Sequence, residues 1–213
     1  LSPGAKVVYS TVPMTMDLRN MELAVGSVEM AMMNAAAVQL GKNYNLPVCA
    51  SGGLTEAKRP DIQAGVEKSI SNLTVAMAGA DCIRLAAGIL DSGNSISYEQ
   101  YVIDNEIIGI VHRLLTGIKV TKETLGFDVI EKVGPGGNYV MEDHTVEHMM
   151  DEFFYPELSV RYNFDVWEAK GRPDMLSRAS DVVRSILREY RDGILDAGLI
   201  SEIAKTNPGI QNI

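Results

Sequence analysis

The apolar positions fall first into a short β-branched run, Lys6 to Thr11 (KVVYST), and then into a long stretch from about Leu18 to Lys42. The run predicts a strand and the stretch a helix, entered through the loop VPMTMD with Asp17 as its cap. The second half of that helix is apolar nearly all round and contains Ala35, Ala36 and Ala37, the pattern of an element buried against its neighbours. The alternation then repeats. Leu46 to Ala50 reads as a second strand, SGGLTEAKRPD as a loop with two glycines, and Asp61 to Met77 as a second helix. Cys82 to Ala86 reads as a third strand, GILDSGNSIS as its loop, and Tyr98 to Leu115, capped by Ser97, as a third helix. This order with short loops predicts parallel strands joined by right-handed crossovers.

After Gly117 the pattern turns helical, with segments at 121–133, 145–154, 176–192 and 197–205. Pro135 to Gly137 is a sharp break, NYVM (Asn138 to Met141) is a candidate fourth strand, and Pro173 and Gly193 mark turns. Residues 1–117 therefore read as the repeating βα part, and 118–213 as a mostly helical part of the same domain. Three or four strands cannot close an eight-stranded barrel. The residues alone predict either a small open sheet or part of a barrel.

In parallel α/β folds the functional face lies at the C-terminal ends of the strands. That rule selects Ser10, Thr11 and Asp17 after the first strand. It selects Ser51, Gly52, Gly53, Thr55, Glu56 and Lys58 after the second, and Asp91, Ser92 and Asn94 after the third. Gly52 and Gly53 let a ligand approach the backbone, although an ordinary βα turn would use them equally well. No GxGxxG or Walker pattern is present. His144 and His148, at i and i+4, share a helix face and have a spacing that can hold zinc. Thr145 stands where a zinc protease would have Glu, so hydrogen bonding or ligand contact is the better reading, and no metal is expected. His112 reads as a packed helix residue. Glu29, Glu99, Asp104 and Glu106 fall on the long helices. Glu29, set among Val28, Met30, Ala31 and Met32, lies either on a narrow polar face, the simpler reading, or aims at a pocket.

Composition narrows the classes. With 46% apolar and 22% charged residues the chain suits a soluble globular protein. Its 28 acidic against 19 basic residues, a net charge of -9, make nucleic acid a poor partner. The apolar runs are far short of the ~18 residues that suggest a membrane span. Cys49 and Cys82 lie in short apolar runs and read as free thiols on buried strands. A cytoplasmic location is expected. Two classes remain open: an enzyme built on a barrel, and a regulatory or interaction fragment.

Four stretches carry a resemblance. They are GSVEMAMMNAAAVQLGKNYNLP, SGGLTEAKRPDIQAGVEK, GILDSGNSISYEQYVIDNEIIG and HTVEHMMDEFFYPELSVR, the last followed by Trp167. Together they resemble the trimethylamine methyltransferase (MttB-like) family over essentially the whole chain, in the C-terminal part of its members. The resemblance implies the C-terminal part of a TIM-type (β/α) barrel with a helical C-terminal extension. It implies transfer of a methyl group from a tertiary or quaternary methylated amine, such as trimethylamine or glycine betaine, to a corrinoid (cobalamin). The corrinoid is carried by a partner protein and not held tightly by this chain; in methanogens such transfer feeds methanogenesis. Trimethylamine users of the family carry pyrrolysine; none is written here, which favours the non-pyrrolysine branch. Substrate- or corrinoid-facing candidates are Ser10, Thr11, Glu29, Ser51, Gly52, Gly53, Gly88, Asp91, His144 and His148, with no catalytic residue assigned. A partial barrel leaves core surface uncovered, so a homo-oligomer is expected, with the helix at 18–42 as the surface most open to burial. The alternative is a catalytically silent fragment or regulatory paralogue of the same fold.

Overall fold

The computed structural model describes residues 2–189 and 197–206. Its elements run β1 (Tyr9–Ser10), β2 (Thr15–Asp17), β3 (Glu22–Ala24), α1 (Val28–Asn43), β4 (Val48–Ser51), α2 (Ile62–Met77), β5 (Cys82–Arg84), β6 (Ile89–Leu90), β7 (Ser95–Ile96) and α3 (Tyr98–Thr116). Five helices follow among the described residues: α4 (Phe127–Val133), α5 (Asp143–Glu152), α6 (Phe164–Ala169), α7 (Met175–Glu189) and α8 (Ala197–Thr206). None of the described helices is long and apolar enough to cross a membrane.

β1, β4 and β5 form one parallel sheet in that order, with Ser10, Cys49 and Cys82 in register across it and Ser51 opposite Arg84. The two-residue period of a strand gives the sheet two unlike faces. Tyr9, Val48, Ala50 and Ile83 pack with Val38 of α1 and Val75 of α2 as the main core. The other face carries Ser10, Cys49, Cys82, Ser51 and Arg84; Ser10 and Cys82 are exposed and Cys49 partly so. A smaller core joins α3 to α7 through Ile103, Leu158 and Ala179. The α/β class and the parallel pairing agree with the sequence reading, and the sheet described here has three strands.

Several expectations need correction. The helix predicted from Leu18 starts at Val28, capped by the Ser27 hydroxyl, which accepts from the Met30 amide at 3.2 Å. Residues 15–24 form a β-hairpin instead, because Asp17 is a turn residue and not a cap. Its Oδ1 accepts from the Arg19 amide at 2.9 Å and its carbonyl from Met21, whose φ of +63° turns the chain back. The helix predicted from Thr121 begins at Phe127. Thr121 and Thr124 close a turn on each other's amide and hydroxyl, and Gly126 at φ +59° separates that turn from the helix. NYVM is no strand: the Asn138 side chain takes the Val140 amide at 2.9 Å, and no other strand pairs with the segment among the described residues. Cys82 is exposed and not buried, since it sits on the edge strand of the sheet and on the face without helices. His112 is likewise exposed. The strands predicted at 6–11, 46–50 and 82–86 pair only over Tyr9–Ser10, Val48–Ser51 and Cys82–Arg84. The predicted helix end at 190–192 and the turn at Gly193 lie outside the described residues.

Candidate functional site

The loops that leave β4 and β5 are held by a buried polar network. Lys68 of α2 and Asp104 of α3 form an ion pair, Nζ to Oδ2, at 2.9 Å with both side chains fully buried. Each also reaches a glycine loop. The Lys68 ammonium donates to the Gly53 carbonyl, and the Gly88 amide donates to Asp104 Oδ2 at 2.7 Å. Asp104 Oδ1 accepts from Gln100 Nε2 at 2.7 Å, so both carboxylate oxygens are used. Burial pulls the Lys68 ammonium below its ordinary value and pushes the Asp104 carboxyl up, while the pairing of the two opposes both shifts.

The surrounding polar side chains act on backbone. Ser71 Oγ accepts from the Gly53 amide at 3.0 Å, and Asn72 Nδ2 donates to the Ala86 carbonyl at 3.3 Å. Asn34 of α1 spans the first two loops: its Nδ2 donates to the Pro13 carbonyl at 3.2 Å and its Oδ1 accepts from the Ser51 amide at 3.3 Å. Glu67 Oε2 accepts from Thr55 Oγ1 at 2.6 Å and from the Glu56 amide at 2.9 Å. Burial first, and then the nearby Glu67, push the Glu56 carboxyl above its ordinary value.

The glycines are fitted to this packing. Gly53 has φ +67°, and a β-carbon there would fall 2.3 Å from the Ala86 carbonyl oxygen. Gly88 has φ +77°, and a β-carbon would enter the Tyr101 ring at 2.2 Å. These two loops are therefore pressed against neighbours, and an L side chain would be strained at both positions.

The candidate residues fall into distinct places. Ser51, Gly52, Gly53 and Gly88 are buried where the two loops meet, and Asp91 is half-buried and paired with Lys58. Ser10 ends β1 and is exposed, and the half-buried Thr11 follows it. Glu29 stands exposed in the first turn of α1. His144 and His148 lie elsewhere, on α5. Their rings are 4.4 Å apart, and they line a small pocket with Ile118, Lys119, Thr124 and Glu152. His144 Nε2 contacts the Glu123 carbonyl at 3.0 Å. A groove of about 690 Å³ lies between α3, α7 and Phe154–Leu158. Among the described residues no three His, Cys, Asp or Glu side chains converge to hold a metal ion.

Lys68, Gln100, Asn34, Asn72 and Arg84 escaped the sequence reading, and Asp104 was seen only as an acid on a helix. A signal existed. Lys68 shares the buried stripe Ala64, Ser71, Asn72 and Val75 of α2, and Asp104 the stripe Gln100, Ile103 and Val111 of α3. Opposite charges on the buried stripes of two helices are a pairing signal.

The trimethylamine methyltransferase (MTTB) family profile matches residues 1–206. The chain is 40% identical over 191 residues to trimethylamine methyltransferase MttB of Desulfitobacterium hafniense (strain DSM 10664 / DCB-2), covering 89% of this chain and 38% of that protein. It is 35% identical over 196 residues to a glycine betaine methyltransferase of Desulfitobacterium hafniense (strain Y51), covering 92% and 41%. It is 37% identical over 201 residues to trimethylamine methyltransferase MttB of Methanosarcina barkeri, covering 94% and 40%. The chain thus spans about 40% of the length of the relatives it matches.

Proposed function

The chain belongs to the trimethylamine methyltransferase family, and from that premise we propose that the full-length protein moves a methyl group from a tertiary or quaternary methylated amine to a corrinoid carried by a separate protein. The observation that carries this reading is the family match over residues 1–206, which includes the two glycine loops locked at the ends of parallel strands. We read the three-stranded sheet as part of a barrel whose mouth those loops help to form.

The acceptor corrinoid supplies a reduced cobalt that is a two-electron nucleophile. In the transfer the methyl carbon gains a bond to cobalt made from the cobalt electron pair. The C–N bond breaks and its electrons stay on nitrogen. A quaternary donor then leaves as a neutral amine and needs no proton. A tertiary donor needs a proton on nitrogen before it can leave. What the protein must supply is orientation and exclusion of water. The Lys68–Asp104 pair serves that need by fixing both loops with side chains that are themselves buried.

The test is direct. Full-length protein is mixed with a corrinoid protein reduced to Co(I) and a panel of methylated amines, and the spectral change to the methylated Co(III) form is followed. Methylation with one or more donors is expected. No change with any donor, while another member of the family works in the same assay, would replace this reading with a silent or regulatory paralogue.

A further inference from the structure

The chain has two cysteines in 213 residues, and the fold sets them side by side. Cys49 of β4 and Cys82 of β5 are direct partners in the parallel ladder, so both side chains leave the sheet on one face. Adjacent strands stand about 4.7–4.9 Å apart, within the Cα separation of roughly 4.4–6.8 Å that a disulfide spans. Both are free thiols. The Cys49 thiol, chiefly by hydrogen bonding, holds the Cys82 thiol above its ordinary value, so the two sulfurs already interact while reduced. The pairing belongs to the β4–β5 ladder itself and is the same whatever packs over the sheet.

The pair stands directly beneath the glycine loops. Four residues on from Cys49 is Gly53, and four residues on from Cys82 is Ala86. These two meet, since a β-carbon on Gly53 would fall 2.3 Å from the Ala86 carbonyl oxygen. Between the thiols and that contact the Gly52 amide donates to the Arg84 carbonyl at 3.3 Å, and Leu85 is held at φ +64°, which a leucine rarely adopts. Side chains that leave neighbouring strands in parallel hold their β-carbons farther apart than the ~3.8 Å typical of a disulfide. Closing the bond therefore draws β4 and β5 together at the thiols, and the tight Gly53–Ala86 contact leaves no slack to absorb the shift. A bond made against such resistance is readily reduced, which is the property of reversible disulfides.

We propose that Cys49 and Cys82 are a redox-active thiol pair that closes reversibly into a cross-strand disulfide and thereby shifts the two glycine loops. The oxidant class is a small-molecule disulfide such as oxidised glutathione. One cysteine thiolate attacks an oxidant sulfur, a mixed disulfide forms and one oxidant thiolate leaves. The other cysteine thiolate attacks the protein sulfur of that mixed disulfide, the Cys49–Cys82 bond forms and the second oxidant thiolate leaves. The two protons given up by the cysteines end on the two departing thiolates. The protein loses two electrons and the oxidant gains them. The inference needs only the ladder and does not rest on the methyl-transfer reading; it adds control by thiol redox state to the loops of that reading.

The experiment equilibrates the full-length protein in glutathione buffers of stepped reduced-to-oxidised ratio, quenches it in acid, alkylates it and maps the peptides by mass spectrometry. A cross-linked pair of peptides holding Cys49 and Cys82 is expected, about 2 Da lighter than the two reduced peptides together. It should appear as the buffer becomes oxidising and disappear when the buffer is returned to reducing. Cys49→Ser and Cys82→Ser should each abolish it and leave the remaining cysteine as a glutathione mixed disulfide. Hydrogen exchange at the Gly53 and Gly88 amides should change severalfold between reduced and oxidised wild type, and in neither serine variant. If a serine variant fails to fold by circular dichroism, the wild-type cross-link and its reversal still decide. Cysteines that stay reduced at every ratio, mixed disulfides alone, a bond from either cysteine to any other, or a bond that reduction does not reverse would each overturn the pair. A reversible cross-link with unchanged exchange at both glycines overturns its action on the loops. None of these readouts involves methyl transfer, so a protein that demethylates no donor tests the inference equally.

Discussion

Lys68 Nζ lies 2.9 Å from Asp104 Oδ2 with neither side chain open to solvent, and the two residues hold Gly53 and Gly88 respectively. Taking both charges from water is expensive, and the mutual attraction repays that cost only while each partner is present. Lys68→Met alone should therefore destabilise the protein by about 3–5 kcal/mol, because the Asp104 carboxylate is left buried without its cation. Lys68→Met combined with Asp104→Leu should recover much of that loss. Urea unfolding of the wild type, both single variants and the double variant measures it; a double variant no more stable than Lys68→Met would refute the ion-pair account.

Gly53 and Gly88 both have positive φ, yet their substitutions should differ. The left-handed backbone alone costs a non-glycine residue about 1–2 kcal/mol. At Gly53 an added β-carbon also meets the Ala86 backbone, which cannot move aside, whereas at Gly88 it meets the half-exposed Tyr101 ring, which can. Gly53→Ala should be the more damaging by thermal melting. Gly88→Ala combined with Tyr101→Ala should regain part of the Gly88→Ala loss.

Asp17 should titrate at about 2, well below its ordinary value of 3.8, because the Arg19 guanidinium and amide both donate to it. A depressed carboxyl stabilises the hairpin above the ordinary value. That contribution is lost as pH falls from 3.8 through about 2. Carboxyl carbon NMR checks the midpoint, and Arg19→Ala should return it towards 3.8.

Glu106 ties the segment after α5 to α3. Its Oε2 accepts from the Leu158 amide and its Oε1 from the Ser159 amide at 2.9 Å. Glu106→Ala should speed hydrogen exchange at both amides while leaving those of α1 unchanged. Uniform acceleration across the chain would mean that Glu106 contributes to global stability instead.

The βα repeat was legible because apolar periodicity is a local property. Ser97 as the cap of α3 is such a case, with its hydroxyl accepting from the Gln100 amide at 3.2 Å. The hairpin at 15–24 was missed because Leu18, Met21 and Val25 supply helical spacing, and the decision rests on the Asp17 turn. The strand-end loops could be placed from the order of elements. What holds them could not, because the contact between Lys68 and Asp104 joins residues on different helices. Arg84 was passed over for a related reason. Within CIRLAA it looks like a lone charge in an apolar run, and only the register with Ser51 shows which face of the sheet it occupies.

The Lys68–Asp104 pair also bears on how the structure is acquired. Lys68 follows the loop it holds by 15 residues, and Asp104 follows its own by 16. Each helix thus fastens the loop preceding it, but the fastening is charge-balanced only when α2 and α3 have docked. A β4–α2 unit by itself would offer that ammonium the Gly53 carbonyl but no counter-ion, and would leave it hydrated and the Lys68 contact to the loop unmade. The two glycine loops consequently order together, as one cooperative unit that opens and closes with the seam between α2 and α3. Hydrogen exchange at Gly53 and Gly88 should report a common opening free energy.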